Sequence, residues 1–221
     1  MTENIIVVGS SGHARVVIDI VEREGRCRIV GLLDASRAAG ERTLGYEVLG
    51  RETDLALLAS RHAIAGVIVA IGDNAVRASS VARLEALCPG LSFSRAVHPG
   101  ARIARDVSIG DGTVVMAGAS VNPCCRIGRH CILNTNCSLD HDSVMEDFAS
   151  LAPGVSTGGN CHIGAHSAVG IGATLIQGIQ VGPHTVIGAG AIVLKSVPAF
   201  KVAYGSPARV IRDRAAGDRY L

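Results

Sequence analysis

The sequence predicts an α/β domain followed by a β-solenoid, and three features support this prediction. An apolar strand, a turn containing glycine and an amphipathic helix open the chain, and a second apolar strand follows. From Val97 onward, an aliphatic residue recurs at every sixth position without a change of phase. The 221 residues are 48% hydrophobic but only 3% aromatic, with 27 glycines, so aliphatic side chains and glycine turns build the core.

The first domain, residues 1–95, has the alternating order of strands and helices that is typical of α/β folds. Continuous apolar runs predict strands, and a helical spacing of apolar residues predicts helices. The predicted elements are strand 4–10, helix 14–24, strand 28–34, strand 65–71, helix 74–87 and a last strand within 91–97. This order predicts a small Rossmann-like domain.

The turn after the first strand resembles a nucleotide-binding turn. Gly9 and Gly12 lie in it, His13 follows, and Asp34 ends the second strand. In dinucleotide-binding folds such glycines approach the phosphates and the acidic residue contacts a ribose. The full G-x-G-x-x-G pattern is absent, so a tight strand-to-helix turn without a ligand is the alternative. A helix N-terminus behind a glycine turn suits a phosphate, and His13 is a candidate ligand contact.

The second domain, residues 96–198, is built from hexads. Sixteen of the seventeen positions spaced by six are aliphatic or Met: Val97, Ile103, Ile109, Val115, Val121, Ile127, Leu133, Leu139, Met145, Leu151, Thr157 (the exception), Ile163, Val169, Leu175, Val181, Ile187 and Val193. A mostly small residue lies four positions after each of them. Neither a helix nor a simple strand has this period, so each hexad predicts one short strand and one corner, with three hexads per coil. Residues 199–221 are interpreted as a cap or tail, because stacked coils need covered ends.

The cysteines fit the same pattern. Cys125, Cys131, Cys137 and Cys161 occupy the small inward position, where a thiol behaves as a small hydrophobe. Free structural thiols in a reducing compartment are therefore favoured over disulfides.

Charge distribution restricts the class of protein. A net charge of +2 and few aromatic residues argue against nucleic acid as the main partner. Residues 148–194 hold no Asp, Glu, Lys or Arg, but glycines and polar residues interrupt this run, so we expect no membrane insertion. The N-terminus has no basic segment of a signal peptide, and we expect a cytoplasmic protein.

Position within the hexad separates the histidines. His141 lies two residues after an inward aliphatic residue, so it should project outward at a corner, between Asp140 and Asp142. A carboxylate beside an imidazole fixes its tautomer and raises its basicity, which suits a general base. A solvated turn is the alternative. His162 and His166 lie four residues apart, but in a solenoid this spacing does not place both on one face, and we expect no metal site.

These features together resemble a known family. The turn Gly9-Ser10-Ser11-Gly12-His13, the Asp-ended second strand, the hexapeptide solenoid with its Asp140-His141-Asp142 triplet and the terminal Tyr-Gly-Ser-Pro-Ala-Arg are similar to the hexapeptide-repeat bacterial sugar acetyltransferases. This group includes sialic-acid O-acetyltransferases and nucleotide-aminosugar N-acetyltransferases.

The resemblance implies a left-handed parallel β-helix that assembles as a homotrimer, with acetyl-CoA in clefts between subunits and a nucleotide sugar held in part by the first domain. It implies that His141 is the general base and Asp142 its partner. It places Gly9, Ser11, Gly12, His13, Asp34 and Asn134 near the nucleotide sugar, and Gly159, Ile171, Gly172, Gly188, Ala189, Lys195 and Arg209 near CoA. Ala35 stands where relatives often carry a second acid, which leaves the nucleobase open.

The resulting hypothesis is acetyl-CoA-dependent N-acetylation of the 4-amino group of a UDP- or GDP-linked 4-amino-4,6-dideoxy sugar, a step typical of O-antigen biosynthesis. O-acetylation of a sialic acid is the alternative within the same class. A zinc-dependent lyase similar to γ-carbonic anhydrases, or a non-catalytic nucleotide-binding trimer, are the alternatives from other classes.

Overall fold

The computed structural model describes residues 2–219, so the last two residues of the predicted tail lie outside the described part. The chain divides into two compact units. The first comprises residues 2–72 and 76–99, and the second comprises residues 73–75 and 100–219.

The first unit is built on a twisted, mostly parallel sheet. Its strands are β1 (Glu3–Val8), β2 (Cys27–Leu33), β3 (Arg42–Thr43), β4 (Tyr46–Gly50), β5 (Ile64–Val69) and β6 (Ser92–Phe93). The two-residue strand β7 (Ala96–Val97) follows β6 in the chain and is not part of this sheet. The helices are α1 (Gly12–Glu24), α2 (Leu55–His62) and α3 (Asn74–Leu87), and Glu52–Asp54 form a single 3-10 turn.

The strand order is β3-β4-β2-β1-β5-β6, in which only β3 runs antiparallel to its neighbour. The chain leaves β1 towards β2 and later returns to the other side of β1 with β5. Open parallel sheets bind ligands at the carboxyl ends of strands at such a switch point. The predicted Rossmann-like domain is confirmed, with two additions: the β3–β4 hairpin and α2 were not predicted.

The second unit is the left-handed parallel β-helix that the family resemblance implies, and from β8 to β23 every strand is two residues long. Three stacks of parallel strands form its three faces. The first face holds β10 (Val114–Val115), β13 (Ile132–Leu133), β16 (Ser150–Leu151), β19 (Ala168–Val169), β22 (Val186–Ile187), β24 (Lys201–Gly205) and the antiparallel β25 (Ala208–Asp213). The second face holds β8 (Arg102–Ile103), β11 (Ser120–Val121), β14 (Ser138–Leu139), β17 (Ser156–Thr157), β20 (Thr174–Leu175) and β23 (Ile192–Val193). The third face holds β9 (Ser108–Ile109), β12 (Arg126–Ile127), β15 (Val144–Met145), β18 (His162–Ile163) and β21 (Gln180–Val181).

Each strand from β8 to β20 pairs in register with the strand 18 residues further along the chain, as in Val114 with Ile132 and Leu133 with Leu151. The second residue of most strands points inward and is buried, as is the small residue four positions later. Cys125 and Cys137, for example, are buried, whereas Cys124 is exposed on the outside of its corner. The interior therefore alternates large and small side chains, which explains the period of six.

Three rows of corners join the faces, and we name each by a characteristic feature. The Asn134 corner, between the first and second faces, includes residues 116–119, 134–137, 152–155, 170–173 and 188–191. The His141 corner, between the second and third faces, includes residues 122–125, 140–143, 158–161 and 176–179. The ladder corner, between the third and first faces, includes residues 128–131, 146–149, 164–167 and 182–185.

The ladder corner carries a column of stacked rings. Adjacent ring centroids lie 4.6 to 5.1 Å apart, close to the spacing of hydrogen-bonded strands. The rings belong to His130, Phe148, His166, His184 and Phe200. All five residues have positive φ, a conformation that costs a non-glycine residue energy, so stacking offsets part of this cost.

Candidate active site

A cavity of about 220 Å³ lies at the switch point of the first unit. The turn after β1 supplies Gly9 and Ser11 to its wall, and the end of β2 supplies Asp34. Gly9 has a φ of +106°, and a Cβ there would lie 2.8 Å from the Ala70 carbonyl oxygen, so only glycine fits this turn. Gly12 begins α1 just beyond the cavity wall.

Asp34 is held in place by several donors. Ser10 Oγ donates to one carboxylate oxygen at 2.5 Å, and the Ser36 amide and hydroxyl and the Arg37 amide donate to the other. Burial works against the charged form, but these hydrogen bonds outweigh it and keep the pKa of Asp34 below its ordinary value. The carboxylate is therefore ionised and fixed at the cavity. Sequence reasoning missed Ser10, whose buried hydroxyl is one of these donors.

His13 lies behind the turn, in the first turn of α1, and is not part of the cavity wall. Burial, followed by the nearby Arg77, lowers the pKa of His13 to about 4. Its imidazole is therefore neutral near pH 7. Its Nε2 is buried and has no hydrogen-bond partner among residues 2–219.

The His141 corner holds a histidine–carboxylate pair. His141 Nδ1 lies 2.8 Å from Asp142 Oδ2, and both side chains are about half exposed. The hydrogen bond from Asp142 is the main cause that raises the pKa of His141, and the charge of Asp140 adds to it. Because the carboxylate accepts the Nδ1 proton, Nε2 is left with its lone pair directed outward.

The Asp140 side chain holds the main chain of this pair in place. Its Oδ1 accepts the His141 amide at 2.8 Å and the Asn122 side-chain amide at 2.5 Å, and its own amide donates to Thr157 Oγ1 at 3.0 Å. The hydrogen bond from Asn122, then that from the His141 amide, keeps the pKa of Asp140 low. Asn122 and Thr157, one coil away on either side, were not predicted as part of the site.

Gly159 lies directly against the imidazole. A Cβ at this position would come within 2.5 Å of both Cε1 and Nε2 of His141. At another corner, the side chain of the first corner residue accepts the amide of the second: Asn134 Oδ1 accepts the Thr135 amide. Gly158 precedes Gly159 and has no side chain to do so, and no residue of the described chain accepts the Gly159 N–H. An unpaired donor therefore adjoins the free nitrogen of His141.

The Asn134 corner carries most of the other predicted residues. A cavity of about 200 Å³ follows the first face and this corner, and Ile171, Gly188 and Ala189 line it. Gly172 follows Ile171 outside the cavity wall, with a φ of +65°. Asn134 lies on the same corner one coil before Ala152, which also lines this cavity.

Neither of the two basic residues predicted near CoA lines this cavity. Lys195 is exposed just after β23, two coils beyond Gly159 along the chain, and Arg209 is exposed in β25, opposite Tyr204. Apart from Arg209, which lies in β25 of the first face, the predicted residues of the second unit form two groups on neighbouring corners that the second face separates.

Two further observations concern metals and membranes. Among residues 2–219, no group of three or more His, Cys, Asp or Glu side chains is arranged to hold a metal ion. Within the same range, no helix has the length and hydropathy to cross a bilayer.

Comparison with known proteins agrees with both units. Residues 4–84 match the model of the PglD N-terminal domain, and residues 106–141 match the bacterial transferase hexapeptide model of six repeats. A solved structure of a histidine variant of GDP-perosamine N-acetyltransferase from Caulobacter crescentus, in complex with CoA and GDP-perosamine, is 30% identical with a TM-score of 0.90. The match covers 96% of this chain and 99% of that one. The chain belongs to the family of hexapeptide-repeat sugar acetyltransferases.

Other members show the same likeness. The acetyltransferase domain of PglB from Neisseria gonorrhoeae, in complex with acetyl coenzyme A, is 30% identical over 96% of this chain and 100% of that one, with a TM-score of 0.86. Among curated relatives, an acyl-[acyl-carrier-protein]–UDP-N-acetylglucosamine O-acyltransferase of Pseudomonas fluorescens is 36% identical over 103 residues. This match covers 47% of the chain but only about a third (33%) of that relative's length.

Proposed function

We propose that the protein is an acetyl-CoA-dependent N-acetyltransferase that acetylates the 4-amino group of a nucleotide-linked 4-amino-4,6-dideoxy sugar, with UDP or GDP as the nucleotide. The observation that carries the proposal is the His141–Asp142 pair, 2.8 Å apart, beside the unpaired N–H of Gly159. The likeness to GDP-perosamine N-acetyltransferase over nearly the whole chain supports the class of substrate.

The proposed reaction is a direct transfer. The sugar amine attacks the thioester carbonyl carbon, a C–N bond forms, and the C–S bond breaks. His141 Nε2 accepts the proton that the amine loses and then returns a proton to the departing CoA thiolate. Asp142 holds the tautomer in which Nε2 is free and stabilises the imidazolium.

Gly159 has two roles in this proposal. Its amide donates to the carbonyl oxygen as negative charge develops there, which is the role of an oxyanion hole. Its lack of a side chain leaves space for the imidazole and the reacting groups.

The nucleotide would bind in the first unit. Gly9, Ser11 and Gly12 place backbone groups and the α1 N-terminus at the diphosphate, and Asp34 contacts the ribose. The neutral His13 offers a second polar contact near the sugar.

The two groups on the solenoid suggest a homotrimer. In one chain the second face separates the His141 corner from the Asn134 corner. A trimer with parallel solenoids would place the His141 corner of one subunit against the Asn134 corner of the next. Acetyl-CoA would then lie in the cleft, along Ile171, Gly172, Gly188 and Ala189, with Lys195 and Arg209 near its phosphates.

A thiol-release assay tests the activity. Acetyl-CoA is supplied with UDP- and GDP-linked 4-amino sugars, and mass spectrometry follows the acetylated product. N-acetylated nucleotide sugar is the expected product. Transfer to a sugar hydroxyl group alone would favour the O-acetyltransferase alternative, and no turnover with either class would refute the proposal.

A matched pair of variants tests the general base. His141→Ala should lower kcat at least about 100-fold, within the range expected for a lost general base. His162→Ala is the control, because His162 also pairs with a carboxylate at 2.8 Å and is similarly exposed, but on the third face. A fully active His141→Ala enzyme would contradict the mechanism.

Light scattering tests the proposed trimer. A monomer in solution would contradict a site formed in a cleft between subunits.

A further inference from the structure

An ion pair lines the switch-point cavity and has no role in the site as described. Arg83 Nε donates to Glu52 Oε2 at 2.7 Å, and Arg83 Nη2 donates to Oε1 at 3.1 Å. Ser80 Oγ also donates to Oε1, at 2.6 Å. The Glu52 side chain is only 14% exposed, whereas Arg83 is 54% exposed. Glu52 is thus the fixed partner, and Arg83 is the one that can meet a ligand.

The pair leaves part of the guanidinium unused. Arginine has five N–H donors in a planar fork, and Glu52 accepts one from Nε and one from Nη2. The terminal edge of the guanidinium, formed by the two Nη atoms, retains two parallel N–H groups, and no other residue of the described chain accepts them. Because Glu52 fixes the plane of the guanidinium, this edge is oriented before a ligand binds.

The position of a bound nucleotide follows from the other residues of the wall. The α1 N-terminus takes the diphosphate and Asp34 takes the ribose, as in other nucleotide-binding parallel sheets. The rest of the wall includes Ala35, Ile71 and Val76, whose apolar side chains suit the flat face of a base, and the Glu52–Arg83 pair. Arg83 therefore adjoins the space that the nucleobase would fill.

We propose that Arg83, oriented by Glu52, recognises the nucleobase and selects guanine. Two parallel N–H donors match two adjacent acceptors, and guanine presents O6 and N7 side by side on one edge. Adenine has an amino group beside its N7, and uracil has a carbon-bound hydrogen beside its O4, so each accepts at most one of the two hydrogen bonds. This inference rests on the proposed function, which leaves UDP and GDP open, and it narrows the substrate to a GDP-linked sugar.

Calorimetric titration of the full chain with GDP, UDP and ADP tests the inference. The unmodified protein should bind GDP more tightly than UDP or ADP. Arg83→Met should weaken GDP binding by about 10- to 100-fold, the range for one bidentate arginine–guanine contact, and leave UDP binding nearly unchanged. Arg83→Lys keeps a cation for Glu52 but loses the fork, so it should fold normally and also lose the preference for GDP.

Arg23→Met is the control, because Arg23 makes a similar ion pair, with Asp19, on the exposed surface of α1. Equal affinity for GDP and UDP in the unmodified protein, or a preference for GDP that survives in Arg83→Lys, would overturn the inference alone. A loss of affinity in Arg83→Met that is the same for GDP, UDP and inorganic pyrophosphate would also overturn it, because Arg83 would then be a phosphate ligand. Absence of binding of any nucleotide to the unmodified protein would overturn the proposed function as well.

Discussion

Replacing Gly159 by alanine should separate catalysis from stability at the His141 corner. A Cβ at this position would lie 2.5 Å from Cε1 and Nε2 of His141, whereas ordinary contacts begin near 3.4 Å. The imidazole must therefore move by about 0.9 Å, the difference between these distances. Its ring is the exposed end of a flexible side chain, so the backbone can stay in place. A misplacement of about 1 Å at a reacting group can cost about 100-fold in rate.

We therefore expect Gly159→Ala to lower kcat about 100-fold with little change in the thermal unfolding midpoint. Steady-state thiol release and circular dichroism measure the two quantities. Gly178→Asn is the matched control, because Gly178 lies on the same corner with open space around it, and asparagine tolerates its positive φ. The reasoning also requires that Gly159→Ala cause little further loss in a His141→Ala enzyme. Full activity of Gly159→Ala, or an equal additional loss in that double variant, would refute it.

Three further outcomes follow from the structure. Asp140→Asn keeps an acceptor for the His141 amide but removes a negative charge that raises the pKa of His141, so the acidic limb of the pH–rate profile should move to lower pH. An acidic limb that does not move would show that His141 does not govern it. Phe148→Ala removes two stacked ring contacts and should lower the free energy of unfolding, measured by chemical denaturation, by about 1–3 kcal/mol. An unchanged free energy of unfolding would mean that the stacked rings do not stabilise the fold. Burial raises the pKa of the Cys137 thiol to about 12, so an alkylating reagent near pH 8 should modify the exposed Cys124 in the folded protein and Cys137 only after unfolding. Mass spectrometry maps the labelled residues, and rapid labelling of Cys137 in the folded protein would contradict its burial.

The sequence was sufficient for the solenoid because its period is a direct consequence of packing. Each hexad must supply one large and one small inward residue, and a side chain that broke this rule would leave a void or a clash. The same rule places His141 on the outside of a corner. The β3–β4 hairpin escaped prediction because its strands are short and its pairing depends on contacts with β2 rather than on local pattern.

Side-chain partners within the site were harder to predict. Ser10 and Asp34 are 24 residues apart, and Asn122 and Asp140 are 18 apart, so their contacts arise only after folding. The contact between Asn122 and Asp140 is predictable from the sequence, because residues 18 apart must stack in a three-sided solenoid. The same spacing relates His130, Phe148, His166 and His184, and sorting the histidines by coil as well as by hexad would have revealed the ladder. The Glu52–Arg83 pair has no such signal, since tertiary packing alone joins the 3-10 turn to α3.

The register of 18 residues also restricts how the solenoid can change in length. Removing the six residues 122–127, which form one hexad, would rotate all later coils of the solenoid by one third of a turn. His141 would then occupy the place that Thr135 holds now, on the Asn134 corner, with its aliphatic neighbours still facing inward. The fold would tolerate such a deletion and the chemistry would not. Insertions and deletions that preserve function should therefore come as whole coils, so that the solenoid lengthens or shortens without turning its corners away from their partners.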